Sequence, residues 1–273
     1  MKSTLVKILV YFCAALTMSV LVFMLSYILV KGLPNLKPEL FSLPYTSENC
    51  SVIPALINTL TITLISLLIA CPLGIGTAVY LSEYSKKGNA FVKVVRMTAE
   101  TLTGIPSIIY GLFGMLMFVT FLHWGYSLLA GSITLAVMIL PTIMRTTEES
   151  LMTVSDSLRE GSLGLGAGKL RTVFKIVLPS AVPGILIGVI LATGRVIGET
   201  AALVYTAGTV AQIPQNVFGS GRTLAIHMYV LSSEGLHTGE AFATAIVLLV
   251  MVTAINAFSD FLAGKMGGKN GKK

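Results

Sequence analysis

Charged side chains are scarce in this chain: they make up 11% of its 273 residues, against a hydrophobic share of 54% and a mean hydropathy of +0.85. Soluble globular domains carry about 25% charged residues, so this composition excludes a soluble protein and indicates an integral membrane protein. Cysteine is also scarce, and Cys13, Cys50 and Cys71 are far apart in the sequence. We therefore expect no disulfide framework, no metal site and no cofactor.

The sequence contains several long apolar stretches. A helix needs about 20 apolar residues to cross roughly 30 Å of hydrocarbon. Six stretches reach that length, near residues 7–30, 54–82, 94–122, 127–147, 182–206 and 239–263. The first run is too long for a signal peptide and no cleavage site follows it, so we expect it to remain as a span. The sequence thus predicts an all-α polytopic membrane protein with six transmembrane helices.

The distribution of lysine and arginine predicts the orientation of these spans. With the N-terminus inside, the inner segments hold fifteen cations, whereas the outer ones hold only Lys31, Lys37 and Arg222, and Arg195 lies within a span. Both termini are therefore expected in the cytoplasm. The same bias explains the net charge of +7, so we expect a lipid bilayer and no nucleic acid as the partner of these cations.

The outer segments contain no convincing ligand set. Residues 207–238 form the second long outer segment, which is rich in proline and glycine. We expect its two histidines, His227 and His237, to be solvated loop residues rather than metal ligands.

The cytoplasmic loop of residues 148–179 carries the most specific pattern. Ser155 or Asp156 can cap a short helix, and the glycines that follow it would end that helix in a turn. Apolar residues then recur at helical spacing, opposite three cations, from Lys169 to Val177. This spacing predicts an amphipathic helix, which Pro179 is expected to end.

The glycines of this loop do not form a phosphate-binding P-loop. That motif needs a glycine five residues before Gly168-Lys169 and a serine or threonine after the lysine. Leu163 and Leu170 occupy those two positions. The sequence therefore gives no reason to expect ATP binding by this chain.

Instead, the loop resembles the EAA motif of ABC-importer permeases, in which a glutamate, two small residues and a glycine precede Ile-x-Leu-Pro. The matching residues are Glu160, Gly161, Ser162, Gly166, Ile176, Leu178 and Pro179. Gly161 and Ser162 replace the usual two alanines and remain small. The resemblance implies that these residues, with the adjacent Arg159, form coupling helices that dock on a cytoplasmic ATPase.

Two further segments, residues 103–114 and 188–202, are similar to phosphate ABC transporter permeases of the PstA type. The resemblance implies a type I, MetI-like importer fold over residues 53–263, after an N-terminal helix and outer loop in residues 1–52. A basic cytoplasmic tail follows in residues 264–273. The implied partners are a homologous PstC-type permease, a PstB-type ATPase dimer and an extracytoplasmic PstS-type phosphate-binding protein, in a bacterial or archaeal cell membrane.

Other functions stay open. Spacing alone also fits a permease for molybdate, sulfate or phosphonate. An ion-coupled secondary carrier is less favoured, since the six spans show no internal repeat. No set of acid, base or nucleophilic groups indicates an enzyme, so we expect a non-catalytic subunit.

Arg195 is the candidate contact for a transported anion. A charge deep in a span costs about 2.5 to 3.5 kcal/mol on insertion scales, and Glu199 follows one helical turn later, which predicts an i,i+4 ion pair. The pair could be structural, or the guanidinium could exchange Glu199 for a phosphate oxyanion in transit. Arg96 and Glu100 are likewise expected to pair at the inner end of the third span.

Overall fold

The computed structural model describes the backbone of residues 2–86 and 88–267, and the side chains of residues 6–86, 88–259 and 261. Helices and turns make up this part of the chain, without strands. The all-α prediction is therefore confirmed. Of the predicted basic tail, residues 268–273 lie outside the described residues.

The described ranges contain eleven α-helices. These are α1 (Lys2–Gly32), α2 (Ile53–Val79), α3 (Ala90–Thr103), α4 (Ser107–Gly114), α5 (Leu128–Met152), α6 (Asp156–Gly164), α7 (Lys169–Thr172), α8 (Leu178–Ile197), α9 (Ala201–Val204), α10 (Leu224–Glu234) and α11 (Thr238–Gly267). Wide π-turns prolong three of them: Tyr80–Tyr84 follows α2, Met115–Phe121 follows α4, and Val173–Val177 joins α7 to α8. Short 3-10 turns, Leu33–Asn35 and Pro38–Phe41, lie between α1 and α2.

Five of these helical segments are each long and apolar enough to cross a membrane, and α3 with α4 makes up to a sixth. The predicted span 94–122 is not one continuous helix, because α3 and α4 meet at an angle of 102°. Pro106 causes the break: it lacks an N–H and disfavours helix at the residue before it, and its ψ of 140° is extended. Pro141, by contrast, lies inside α5 without ending it.

The fifth span also differs from its predicted range of 182–206. The helix runs from α7 through α8 and ends at Ile197, so Pro179 does not end it. The π-turn before α8 explains this continuity. The Leu178 N–H donates to the carbonyl oxygen of Val173, five residues back, and such a wide turn accommodates a helix position where proline supplies no donor.

Helices α2, α5 and α8 form the centre of the bundle. Ile62, Ile139 and Val196 represent the three helices in its main apolar cluster, and each is buried. Helix α4 approaches α9 so closely that a Cβ added at Gly111 would lie 2.7 Å from the Cα of Ala202. Only glycine permits this approach, because the opposing atom belongs to the backbone.

Helices α6 and α10 lie at opposite ends of α2. Arg159 of α6 contacts Glu83 just after α2, whereas the Leu224 N–H at the start of α10 donates to Thr59 Oγ1 near the beginning of α2 (2.9 Å). We refer to these as the α6 end and the α10 end of the bundle. Helix α1 joins the bundle at the α10 end, where Tyr27 packs edge-on against Phe242 of α11.

The predicted outer loop 207–238 contains a buried helix, α10, which corrects the expectation that His227 is a solvated loop residue. His227 is fully buried, and its Nε2 lies 3.1 Å from the carbonyl oxygen of Cys50. The ring of Tyr45 packs edge-on against it, and the guanidinium of the buried Arg222 lies over the same tyrosine. Burial and the nearby charge of Arg222 lower the pKa of His227 to about 3.

Acid is expected to destabilise the α10 end through His227. Its pKa is about 3 in the folded chain, against an ordinary value of 6.5, so the unfolded chain binds more protons between these two pH values. The free energy of unfolding should therefore fall by about 1.4 kcal/mol per pH unit as the pH drops from 6.5 towards 3. Thermal unfolding of the purified chain in detergent between pH 7 and pH 5 measures this slope.

The matched variant for this measurement is His227→Gln, which has no titrating ring. It should unfold more easily at pH 7 but with a flatter pH dependence. Identical slopes for the variant and the wild type would show that His227 is not buried in its neutral form.

Candidate functional site

Helix α6 forms as its sequence predicts. The Ser157 N–H donates to Ser155 Oγ (3.3 Å) at its start, and Asp156 places a carboxylate in its first turn, where it favours the helix dipole. After Gly164 the chain turns through Gly166, whose φ of +86° suits glycine. The Ala167 N–H then donates to the carbonyl oxygen of Ser162 (3.1 Å), a bond that closes the turn.

Much of this helix and its turn is exposed at the α6 end. Glu160 and Gly161 are exposed, Leu163 is about half exposed, and Leu165 is 91% exposed. A Cβ added at Gly161 would meet no atom of the described chain within 4 Å. The small size of this residue is therefore not required by packing within the described chain.

The other small residue of the motif faces inward. Ser162 is buried, and its Oγ lies 2.9 Å from Thr172 Oγ1 on α7. Beyond α7, Val173 and Val177 are buried in an apolar cluster, with Leu178 packed against it. Ile176 is partly buried and Pro179 is exposed. The second half of the motif thus fastens the loop to the bundle.

Arg159 faces inward rather than outward. Its Nε and Nη2 donate to Glu83 Oε1 (3.2 and 2.8 Å), and Nη2 also donates to the carbonyl oxygen of Leu151 (2.8 Å). Its Nη1 donates to the Val154 carbonyl and to Asp156 Oδ1 (3.0 Å). All five N–H donors of the guanidinium are therefore used. No sequence pattern links Glu83 to Arg159, so sequence reasoning missed this pair.

Arg195 and Glu199 do not form the predicted i,i+4 ion pair. Helix α8 ends at Ile197, so Glu199 is not on the same helix, and the ion pairs among the described side chains do not include Arg195. The nearly buried Glu199 instead accepts a hydrogen bond from the Ala202 N–H (3.1 Å) at the start of α9. Arg195 lies two residues before the end of α8, not near its middle, and is partly buried.

The predicted pair of Arg96 and Glu100 is also wrong. Arg96 Nε donates to Glu148 Oε1 of α5 (2.9 Å), because the break at Pro106 turns α3 towards α5. A cavity of about 270 Å³ lies beside this pair, and its lining includes Glu100, Arg145 and Glu149. Sequence reasoning could not find it, since its residues come from two helices about 50 positions apart.

A larger cavity of about 790 Å³ lies between α4, α9, α10 and α11, with Ile28 of α1. Its lining residues are apolar or uncharged, and Thr200 and Ala201 stand at the break between α8 and α9. This cavity therefore offers no charged ligand for an anion.

Comparison with known proteins gives a consistent family. Residues 70–268 match the family described as binding-protein-dependent transport system inner membrane component. The chain is 36% identical to the probable ABC transporter permease protein YqgI of Bacillus subtilis, over 92% of this chain and 91% of that protein. It is 36% identical to the phosphate transport system permease protein PstA of Mycobacterium leprae, over 75% and 67%, and 32% identical to PstA of Haemophilus influenzae, over 85% and 83%.

Solved structures share the fold at lower identity. A subunit of the MetNI methionine ABC transporter, in an inward-facing conformation, superposes with a TM-score of 0.64 at 21% identity, over 77% of this chain and 93% of that chain. A subunit of a bacterial alginate ABC transporter gives 0.66 at 18% identity, over 94% and 95%. The predicted type I importer fold is thus confirmed, and the chain belongs to the family of binding-protein-dependent transport system inner membrane components, the permease subunits of ABC importers.

Proposed function

We propose that this chain is the permease subunit of an ATP-driven importer of inorganic phosphate. The proposal is supported by relatives named as phosphate permeases of the PstA type, at 32 to 36% identity in several bacteria. The name of the Bacillus subtilis relative states no substrate, and the methionine and alginate transporters support the fold alone.

One observation carries the choice of an anion as substrate. The guanidinium of Arg195 is partly buried near the end of an apolar helix, in the part of the chain that resembles PstA-type permeases, and no described carboxylate pairs with it. The guanidinium of arginine is a permanently charged group in proteins. Its planar fork matches two oxygens of a phosphate, which makes Arg195 the proposed contact for phosphate in transit.

Glu199 has a different part in this proposal from the one that the sequence suggested. Its carboxylate accepts from the backbone of α9 and so stabilises the break between α8 and α9. Arg195 lies two residues before this break and is only partly buried, so its guanidinium is not enclosed by the described chain. In this proposal Glu199 stabilises the break between α8 and α9, whereas Arg195 contacts the phosphate.

The exposed surface of α6 is the proposed contact with the ATPase subunits. Glu160 and Gly161 are open to a partner, and Leu165 offers an apolar side chain that nothing in the described chain covers. In the full complex a PstC-type permease would complete the path, a PstB-type dimer would hydrolyse ATP, and a PstS-type protein would deliver phosphate. The α6 end then lies in the cytoplasm, with both termini on the same side of the cell membrane.

Reconstitution in vesicles tests this function. The chain, its second permease, the ATPase and the binding protein are combined, and uptake of radiolabelled phosphate, sulfate and molybdate is compared with and without ATP. We expect uptake of phosphate that requires ATP and persists when ion gradients are dissipated. Uptake of sulfate or molybdate but not of phosphate would contradict the proposal that phosphate is the substrate. Uptake driven by a proton gradient without ATP would indicate a secondary carrier.

A further inference from the structure

Helix α6 is attached to the bundle by two polar contacts. One is the hydrogen bond between Ser162 and Thr172 of α7, which continues into α8. The other is the guanidinium of Arg159, which donates to Glu83 after α2 and to two carbonyl oxygens at the end of α5. Ser162 is the single buried residue of α6, so this short helix has little apolar packing of its own.

The pair of Glu83 and Arg159 is well shielded from solvent. The exposed fractions of their side chains are 8% and 19%, whereas the neighbouring partner Asp156 is 87% exposed. Solvent screening leaves an exposed ion pair little net interaction, whereas a buried or partly buried pair is screened much less. The Nε and Nη2 atoms both donate to Glu83 Oε1, which fixes the plane of the guanidinium as well as its distance.

Glu83 stands at the end of the central helix of the bundle. It lies in the π-turn Tyr80–Tyr84, which continues α2 directly. Helix α2 packs along α5 and also contacts α8, so a displacement of its end is passed to both. Much of the rest of α6 is exposed, and among the ion pairs of the described side chains Arg159–Glu83 is the one that joins α6 to the end of α2.

We propose that Glu83 is a positioning residue for energy coupling: it holds Arg159 so that movement of α6 is transmitted to α2. This inference rests on the proposed function, since it assumes that an ATPase moves α6. It also assigns Arg159 a role different from the contact with the ATPase that the sequence suggested. With all five donors used inside the chain, Arg159 transmits the movement and leaves the contact itself to its exposed neighbours.

The variant Glu83→Gln tests this link in the reconstituted complex. It keeps an acceptor oxygen but removes the charge that fixes the guanidinium. We expect ATP hydrolysis stimulated by the binding protein to stay within about twofold of the wild type, while phosphate imported per ATP hydrolysed falls about tenfold, which is a typical size for a coupling between sites. Glu83→Asp should restore part of this ratio.

The matched control is Glu149→Gln, which removes the carboxylate of the exposed Arg145–Glu149 pair within α5 (3.0 Å), outside α6. Its ratio of phosphate imported to ATP hydrolysed should remain close to that of the wild type. A purely structural role for Glu83 would lower assembly, hydrolysis and import in proportion and leave the ratio unchanged, and that result would overturn the proposal.

If Glu83→Gln fails to assemble, Arg159→Lys supplies the second test, because lysine keeps the charge but offers three donors in place of five. A normal ratio in that variant would overturn the proposal as well, and a reduced ratio would support it. Failure of the wild-type complex to import phosphate would count against the proposed function instead. The ratio can then be measured with whichever substrate the wild type does import.

Discussion

Uptake of phosphate is expected to fall at least tenfold when Arg195 is replaced by lysine, while the complex assembles normally. Lysine keeps the positive charge but replaces the planar fork by a point charge, so it cannot hold two oxygens of one phosphate. A loss of one such charged contact corresponds to about 1.4 kcal/mol or more, which is a tenfold change in rate. Uptake by vesicles and copurification of the ATPase subunits are the two measurements.

Glu199→Gln provides the contrast to this variant. Glutamine keeps an oxygen that can accept from the Ala202 N–H, so the break before α9 should persist and most of the uptake with it. If Glu199→Gln were as inactive as Arg195→Lys, the carboxylate would take part in transport directly. Normal uptake by an assembled Arg195→Lys complex would remove Arg195 from the proposed phosphate path.

Replacement of Leu165 by aspartate is expected to separate the chain from its ATPase. Leu165 is 91% exposed, so a polar side chain there should not disturb the fold. A carboxylate buried in an apolar contact would, however, remain without a partner and weaken that contact by a factor of ten or more, about 1.4 kcal/mol at least. Copurification of the ATPase with the tagged permease measures this binding, and ATP-dependent uptake should be lost with it.

A matched control for Leu165→Asp lies at the α10 end of the bundle. Leu236 is 83% exposed in the turn between α10 and α11, so Leu236→Asp places the same charge on an equally exposed leucine at the α10 end. It should leave the ATPase bound. Equal recovery of the ATPase with both variants would show that the turn after α6 does not belong to the contact.

The features that sequence could predict are those that short stretches of chain determine. The cap at Ser155, the glycine turn after α6 and the apolar spacing before Val177 depend on residues within a few positions of each other. The structure therefore contains the helices in these places. The six apolar stretches were found for the same reason, since the length of a span is a property of one segment.

The features that sequence missed depend on partners distant in the chain. Arg96 was assigned to Glu100 by helical spacing, but the break at Pro106 brings Glu148 within reach instead. Arg159 was taken as an outward contact, because nothing near it in sequence indicates Glu83. His227 is buried by a segment nearly 180 residues earlier, around Cys50. In each case tertiary packing outweighed a local rule.

The break between α3 and α4 also limits how far the segment after it can reach. The part after the break, Ser107–Phe121, has fifteen residues and reaches about 22 Å at most, whereas the hydrocarbon is roughly 30 Å thick. Ser107–Phe121 is therefore too short to cross the hydrocarbon alone, so a crossing at this point needs part of α3 as well, at 102° to α4.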